Sequence, residues 1–236
     1  MPKRYWWVIV TYVIMQFSVI IGAPVLYALF PITDFEAVIY WSILSFIAAL
    51  IVTLLLMRPD MKEGSARDAS SLSTVVVWSV LGVFMAFAAQ TIAGLIEMEL
   101  LGIESGSENT QQIMDITRAA PIFMIIPALI APILEELIFR KIIFGSLYKR
   151  MNFFFAALLS ALVFGFIHLD PTHILVYASM GFVFAFLYVR TKRIIVPIIV
   201  HAAMNTIVVL AQYGLTPEEI ERMQRQLEQQ MILIGG

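Results

Sequence analysis

The stretch APILEELIFRK, residues 131–141, interrupts a run of apolar residues with two adjacent carboxylates, Glu135 and Glu136, and with Arg140. The run is apolar enough to cross a bilayer, where an ionisable side chain is costly unless it is solvated or paired. If the stretch is helical, Glu136 and Arg140 share one face and can form an ion pair, whereas Glu135 points about 100° away. We therefore expect Glu135 to find its partners on other helices.

The composition is that of an integral membrane protein. Of 236 residues, 61% are hydrophobic and 14% are charged, and the mean hydropathy is +0.90. Soluble domains contain only roughly 45–50% apolar residues. The formal charge of −2, with basic residues spread through short loops, argues against nucleic-acid binding. Because cysteine is absent, any chemistry must use carboxylate, imidazole, amide or hydroxyl groups.

Seven apolar segments approach the length of about 20 residues that a membrane-crossing helix needs. The fifth and sixth are short and are separated only by a turn-like Asp-Pro-Thr-His sequence, so they can also be tilted or partly re-entrant. We predict an all-α, polytopic membrane bundle that forms a single domain over residues 1–215. Its segments are 6–30, 37–57, 74–96, 119–139, 153–169, 174–189 and 194–213.

The placement of lysine and arginine predicts the orientation of the bundle, because these residues are enriched in cytoplasmic loops. A cytoplasmic N-terminus leaves twelve of the 15 on the inner side, and outside only Arg118, Arg222 and Arg225. The acidic segment 97–117 is then expected to be a solvated outer loop, and segment 58–73 a flexible inner connection. Residues 216–236 combine a helix-capping pattern with an apolar stripe, which predicts a short amphipathic tail helix at the bilayer interface.

Two histidines and an asparagine add polar groups to the later segments. His168 lies one helical turn after Phe164 in FGFIH, and His201 lies one turn before Asn205 in HAAMN. His173 lies in the break between two segments, where an interfacial histidine is usually structural. The last four segments therefore hold two carboxylates, an arginine, two histidines and an asparagine, whereas the core of the first three has almost no ionisable group. This concentration indicates a functional site.

Such a set of groups can use water as a nucleophile. A poorly solvated carboxylate can take a proton from water, and a histidine beside it can orient that water. A second histidine and an asparagine amide can donate to the oxyanion of a tetrahedral intermediate. The same groups can instead form a zinc site of the His₂Glu kind with an open position for water. Both routes hydrolyse an amide, and the H-E-x-x-H and G-x-S-x-G signatures of common soluble hydrolases are absent.

Three motifs in order on successive apolar segments resemble the CPBP family of intramembrane proteases. This family includes the CAAX prenyl endopeptidases and the bacteriocin-processing, Abi-type enzymes, and the resemblance covers roughly residues 119–210. The motifs are Glu135-Glu136-x-x-x-Arg140, Phe164-x-x-x-His168 and His201-x-x-x-Asn205. The resemblance implies hydrolysis of a peptide bond in a membrane-associated peptide or protein.

The resemblance also implies a role for each polar residue. Glu135 would activate water with His168, while His201 and Asn205 would stabilise the oxyanion. The Glu136–Arg140 pair would hold the site together. A metal-dependent mechanism would instead use Glu135, His168 and His201 as ligands of a zinc ion, the one cofactor that the pattern suggests.

The compact chain and its short inner loop are more similar to bacterial members of this family than to the longer eukaryotic ones. We therefore expect a multi-pass protein of a bacterial plasma membrane, with a membrane-associated substrate and the bilayer as its partners and without nucleic acid. The sequence does not indicate an oligomeric state. Two alternatives stay open at this point: a non-catalytic membrane regulator or adaptor with the same fold, and a proton-coupled carrier, since buried carboxylate and histidine pairs also form proton relays.

The predicted segment bounds conflict with a shared site. At roughly 1.5 Å per residue, they place Glu135 near the inner leaflet and His168 near the outer leaflet. The two side chains can meet only if the fourth helix continues as far as Phe144 or Leu147, or if the fifth is tilted. We expect convergence of the polar residues and therefore different bounds.

Overall fold

The protein is described by a computed structural model that covers residues 1–62, 69–104 and 106–215, and positions 219, 222, 225 and 226 of the tail. Within these residues every regular element is a helix, as predicted. The helices are α1 (Lys3–Leu29), α2 (Asp34–Leu56), α3 (Arg58–Lys62), α4 (Leu72–Leu101), α5 (Glu108–Ala119), α6 (Pro121–Leu147), α7 (Phe153–Phe166), α8 (Ile174–Thr191) and α9 (Ile195–Tyr213).

Six of the helices in the described part of the chain are long and apolar enough to cross a membrane, namely α1, α2, α4, α6, α8 and α9. The fifth predicted segment forms α7, which is apolar but shorter. Large apolar side chains cover the outer surfaces of α1, α2 and α4, where a bilayer would meet them. The chain is thus a multi-pass helical bundle, and the cytoplasmic position of its N-terminus stays a prediction.

Helix α6 lies at the centre of the bundle. About 61% of its most apolar window is buried, against 33% or less in the other five spanning helices. Leu134, Ile138 and Ile142 of α6 are almost fully enclosed, and they pack into one core with residues of α1 and α2. On its other sides α6 packs against α7 and α9. A polar residue on α6 is therefore surrounded by protein rather than by lipid.

The conflict between the depths of Glu135 and His168 arises from wrong helix bounds. Helix α6 ends at Leu147 instead of residue 139, which moves Glu135 to its middle, and α7 ends before His168. Helix α6 is also irregular: a 3₁₀ turn and two π-helical stretches occupy Pro121–Met124, Ile126–Ile130 and Glu136–Phe144.

The prediction of a solvated loop over residues 97–117 is wrong in two parts. Glu97 is only 1% exposed, and it lies on α4, which continues to Leu101. The helix ends at Gly102, whose left-handed φ of 66° provides the usual helix stop. Residues 108–119 form the amphipathic helix α5, which is capped by the side chain of Ser107.

Two other predictions fall partly on residues beyond the description. Of the predicted inner connection 58–73, the first residues form α3, and residues 63–68 lie outside the described residues. Most of the predicted tail helix 216–236 lies outside them as well.

Helix α3 is joined to α1 through Asp60, whose carboxylate accepts hydrogen bonds from Arg4 Nε at 2.7 Å and from the Tyr5 hydroxyl at 2.5 Å. Burial opposes ionisation of Asp60, but these two donors lower the pKa of its carboxyl overall.

Candidate active site

A cavity of about 680 Å³ lies within the bundle and reaches α6, α8 and α9. The four residues expected to act on water all line it: Glu135, His168, His201 and Asn205. They come from α6, from the turn after α7, and from α9. The predicted convergence of these residues therefore occurs in the folded chain.

The predicted ion pair on α6 is present and fully buried. Arg140 Nε lies 3.2 Å from Glu136 Oε2, and both side chains are 0% exposed. The guanidinium carbon of Arg140 lies 4.4 Å from the ring centre of Phe164 and 5.1 Å from that of Phe184. Aromatic faces attract a desolvated cation and so offset part of the cost of burying this charge.

His201 lies between the two glutamates. Its Nδ1 is 3.0 Å from Glu136 Oε1, and its Nε2 is 3.7 Å from Glu135 Oε2. Because an ionised carboxylate can only accept, Nδ1 carries the proton that is donated to Glu136. Arg140 holds Glu136, and Glu136 in turn holds the imidazole with Nε2 toward Glu135. Glu135 thus has the partner on another helix that its position on α6 predicts.

Two prolines explain how Asn205 is held. In the first π-helical turn of α6, the N–H of Ala131 donates to the carbonyl of Ile126, five residues earlier. The next bond of that type would join residue 132 to Pro127, but Pro132 has no N–H. Asn205 Nδ2 donates to the Pro127 carbonyl instead, at 2.9 Å. A side-chain amide carries two N–H groups, so a second donor remains for a ligand.

His168 follows α7 at a sharp change of chain direction. Its Nδ1 lies 2.7 Å from the carbonyl oxygen of Phe164. A carbonyl accepts and does not donate, so Nδ1 carries the proton and Nε2 of the neutral ring keeps a lone pair. Leu169 has a φ of 54°, a conformation that L-residues rarely adopt, and it turns the chain away directly after the histidine.

A hydrogen-bonded group that the sequence analysis did not predict joins α5 to the site. Ser107 Oγ donates to Asp170 Oδ2 at 2.7 Å and lies 2.9 Å from the hydroxyl of Tyr177. The ring of Tyr177 in turn stacks on His168, with centroids 4.3 Å apart. The start of α5 is therefore fixed against the part of the site that contains His168. The only sequence signal for this group is a polar aromatic residue, Tyr177, inside an apolar segment.

Glu97 and His173 form a second connection near the cavity. The Glu97 carboxylate accepts from the backbone N–H groups of Leu175 and Val176, at 3.1 and 3.2 Å, and lies 2.9 Å from His173 Nδ1. His173 Nε2 is 3.0 Å from the carbonyl oxygen of Gly106. These contacts attach the end of α4 to the first turn of α8, whose N–H groups would otherwise lack partners. They agree with the interpretation of His173 as a structural residue.

The described residues do not provide a preformed metal site. No group of three or more histidine, aspartate or glutamate side chains among them is arranged to hold a metal ion. His168 and His201 each use Nδ1 for a hydrogen bond within the protein, so each has only Nε2 left for another partner. The zinc site of Glu135, His168 and His201 stays a prediction, since each histidine keeps in Nε2 the one nitrogen that a metal ligand needs.

Comparisons with known proteins agree with the motifs. A family model described as Rce1-like, Type II CAAX prenyl endopeptidase, matches residues 117–207, which contain all three motifs. Membrane peptidase YdiL of Bacillus subtilis is 48% identical over 100% of this chain and 99% of its own length. The membrane-embedded CAAX protease MroQ of Staphylococcus aureus is 32% identical over 81% of this chain and 80% of its own.

A third relative, UPF0177 protein YxdF of Lactococcus lactis, is 28% identical over 55% of this chain and 73% of its own length. No solved structure matches the chain. The match to the family model, together with two relatives that align over most of their length, identifies a membrane protease. The chain belongs to the Rce1-like family of CAAX-type membrane proteases.

Proposed function

We propose that this protein is an intramembrane endopeptidase in which Glu135 acts as the general base toward a water molecule in the cavity. The observation that carries the proposal is the arrangement of Glu135, His168, His201 and Asn205 around one cavity inside the bundle. Glu135 retains a small exposed fraction, 12% of its side chain, whereas Glu136 has none. Glu135 can therefore reach a water molecule, while Glu136 serves to orient His201.

In the first step, Glu135 takes a proton from water as the oxygen attacks the carbonyl carbon of the scissile peptide bond. His168 accepts a hydrogen bond from the same water through the lone pair on Nε2, which its bond to Phe164 leaves available. The carbonyl oxygen becomes an oxyanion. When the tetrahedral intermediate collapses, the protonated Glu135 returns its proton to the leaving nitrogen, and the C–N bond breaks.

Asn205 and His201 stabilise the oxyanion in this mechanism. Asn205 has a second amide N–H beyond the one that Pro127 accepts, and His201 in its doubly protonated form donates through Nε2. Glu136 balances the positive charge on that ring from the other side, 3.0 Å from Nδ1. Donors that are fixed before the reaction stabilise the transition state most, because they do not have to reorient as charge develops.

Metal dependence is tested directly on active, purified protein. Because no step of the mechanism passes through a metal ion, we expect full activity after chelator treatment and less than stoichiometric zinc by elemental analysis. Stoichiometric zinc that is lost together with activity, and regained on adding zinc back, would contradict the glutamate mechanism.

Substrates are found by comparing membranes that contain the wild-type protein with membranes that contain His168→Ala at equal amounts. New peptide N-termini are mapped by mass spectrometry. We expect a set of termini that depends on His168 and lies in or next to apolar segments of membrane proteins. If the two membranes give the same termini, and His168→Ala rescues a deletion as well as the wild type does, the protein acts as a regulator and the proposal is wrong. We propose the bacterial plasma membrane as the place of action.

A further inference from the structure

Helix α8 presents two aromatic rings to the site, and each ring stacks on one histidine. Tyr177 lies nearly parallel to His168, with centroids 4.3 Å apart and an interplanar angle of 25°. Phe184 lies nearly parallel to His201, with centroids 4.9 Å apart and an angle of 22°. Phe184 lies seven positions after Tyr177, which is about two turns, so the two rings share one face of α8.

A third ring completes the enclosure of both imidazoles. Phe164 meets His168 edge to face, at 4.6 Å and 66°, and meets His201 in the same manner, at 5.9 Å and 79°. Phe164 and Phe184 are almost fully buried, at 1% and 0% exposure, and Tyr177 is 7% exposed. Rings packed this tightly have little freedom to turn.

Hydrogen bonds alone do not fix the direction of the reactive nitrogen. The bond from Nδ1 of His168 to Phe164, and the bond from Nδ1 of His201 to Glu136, each set the position of one ring atom. The imidazole can still rotate about the axis through its Cβ and Nδ1 atoms, and this rotation moves Nε2. A parallel aromatic face removes this rotation, because it keeps the ring in one plane. The plane then determines where Nε2 points in the cavity.

We infer that Tyr177 and Phe184 are positioning residues, through which the aromatic face of α8 sets the direction of Nε2 in both His168 and His201. The inference rests on the proposed roles of these two histidines in hydrolysis. The hydroxyl of Tyr177 is a separate feature, since it bonds to Ser107 at the start of α5 and leaves the ring face free for His168. The hydroxyl can therefore be removed alone, in Tyr177→Phe, or together with the ring, in Tyr177→Leu.

The activity test compares Tyr177→Leu, Tyr177→Phe and Phe184→Leu in reconstituted vesicles. Since a displacement of about 1 Å at a reacting group can cost roughly 10²-fold in rate, we expect kcat to fall by about that factor in both leucine variants. KM of Phe184→Leu should stay unchanged, because Phe184 does not line the cavity. Tyr177→Phe keeps the ring and should retain kcat close to that of the wild type.

Phe182→Leu is the matched control. It removes an aromatic ring from the same helix, but Phe182 packs against Phe154 instead of a histidine. We expect its kcat to equal that of the wild type. The inference is overturned if Phe182→Leu loses as much activity as Phe184→Leu, if Tyr177→Phe loses as much as Tyr177→Leu, or if both leucine variants keep the wild-type kcat.

A second measurement does not depend on activity. The chain has only three histidines, so their ring signals can be resolved by NMR of histidine-labelled protein in nanodiscs. A parallel aromatic face shifts imidazole protons upfield. We expect Tyr177→Leu to abolish this shift for His168 alone and Phe184→Leu to abolish it for His201 alone.

The two measurements separate the two proposals. A protein that cleaves no peptide but shows these selective shifts disproves the proposed function and retains the stacking. A protein that cleaves peptides, but whose histidine signals do not respond to either leucine variant, disproves the positioning role and leaves the proposed function intact.

Discussion

At the scale of single residues, the site depends on charged side chains whose burial in lipid or in a protein core is normally unfavourable. Glu136 and Arg140 are both 0% exposed, and Glu136 also accepts from His201. Two buried charges are tolerated because each is the partner of the other, and the loss of one leaves the other uncompensated. The pair should therefore behave as a unit in measurements of stability.

We predict that Arg140→Met destabilises the protein by about 3–5 kcal/mol, because it removes the guanidinium partner of the buried Glu136 carboxylate and leaves only His201 beside it. The double variant Glu136→Leu/Arg140→Met should recover most of that loss, since two apolar side chains fill the space. Thermal unfolding in detergent measures both. Equal losses in the single and the double variant would show that the pair contributes through packing alone.

The sequence was sufficient to predict this pair and the set that surrounds it. Ionisable residues in an apolar segment are conspicuous, and helical spacing predicts that Glu136 faces Arg140. The sequence was not sufficient to predict the role of Glu97, because its neighbours in the sequence indicate a hydrophilic loop. In the structure its carboxylate accepts hydrogen bonds from the N–H groups of Leu175 and Val176. Contacts between residues almost 80 positions apart have no local signature.

At the scale of elements, the irregularity of α6 has a direct effect on the site. An apolar run with two prolines in its interior, Pro127 and Pro132, predicts a helix with a kink. It does not predict π-helical turns, because the choice between bonds to the fourth and the fifth preceding residue depends on packing around the helix. The turn at Ile126–Ile130 leaves the Pro127 carbonyl for Asn205.

We predict that Pro132→Ala lowers kcat without lowering stability. An alanine at position 132 supplies the N–H that the Pro127 carbonyl lacks, so the Asn205 amide loses its acceptor and its fixed orientation. Removal of one oxyanion donor costs roughly 10²–10³-fold in kcat elsewhere, and misorientation should cost up to that amount. Pro121→Ala, at the start of α6, is the control. Wild-type kcat in Pro132→Ala would contradict this account of Asn205.

Close approach of α7 and α8 is a second property of the elements. A Cβ atom at Gly181 would lie 2.7 Å from the Cβ of Ala161 and 3.1 Å from its Cα. We predict that Gly181→Ala separates the two helices and destabilises the protein by about 1–3 kcal/mol. Gly94→Ala is the matched control, since a Cβ there meets nothing within 4 Å. It should leave stability unchanged or raise it, and equal effects of the two substitutions in thermal unfolding would contradict the prediction.

At the scale of the whole molecule, the bundle creates a polar interior within an apolar exterior. Its surface toward the bilayer carries large exposed apolar side chains, while the cavity gathers polar groups from α6, the turn after α7, and α9. Motif order along the chain predicts which groups meet but not the depth at which they do. That depth follows from the true end of α6 at Leu147 and from the short α7.

The central claim is that one carboxylate, Glu135, removes a proton from water in this cavity. It is tested most directly by the cleavage rate of a mapped substrate in vesicles that contain either wild-type protein or Glu135→Gln, at equal amounts of folded protein. Glutamine keeps the size of the side chain but cannot accept the proton, so the account predicts no detectable cleavage. Cleavage by Glu135→Gln at the wild-type rate would contradict it.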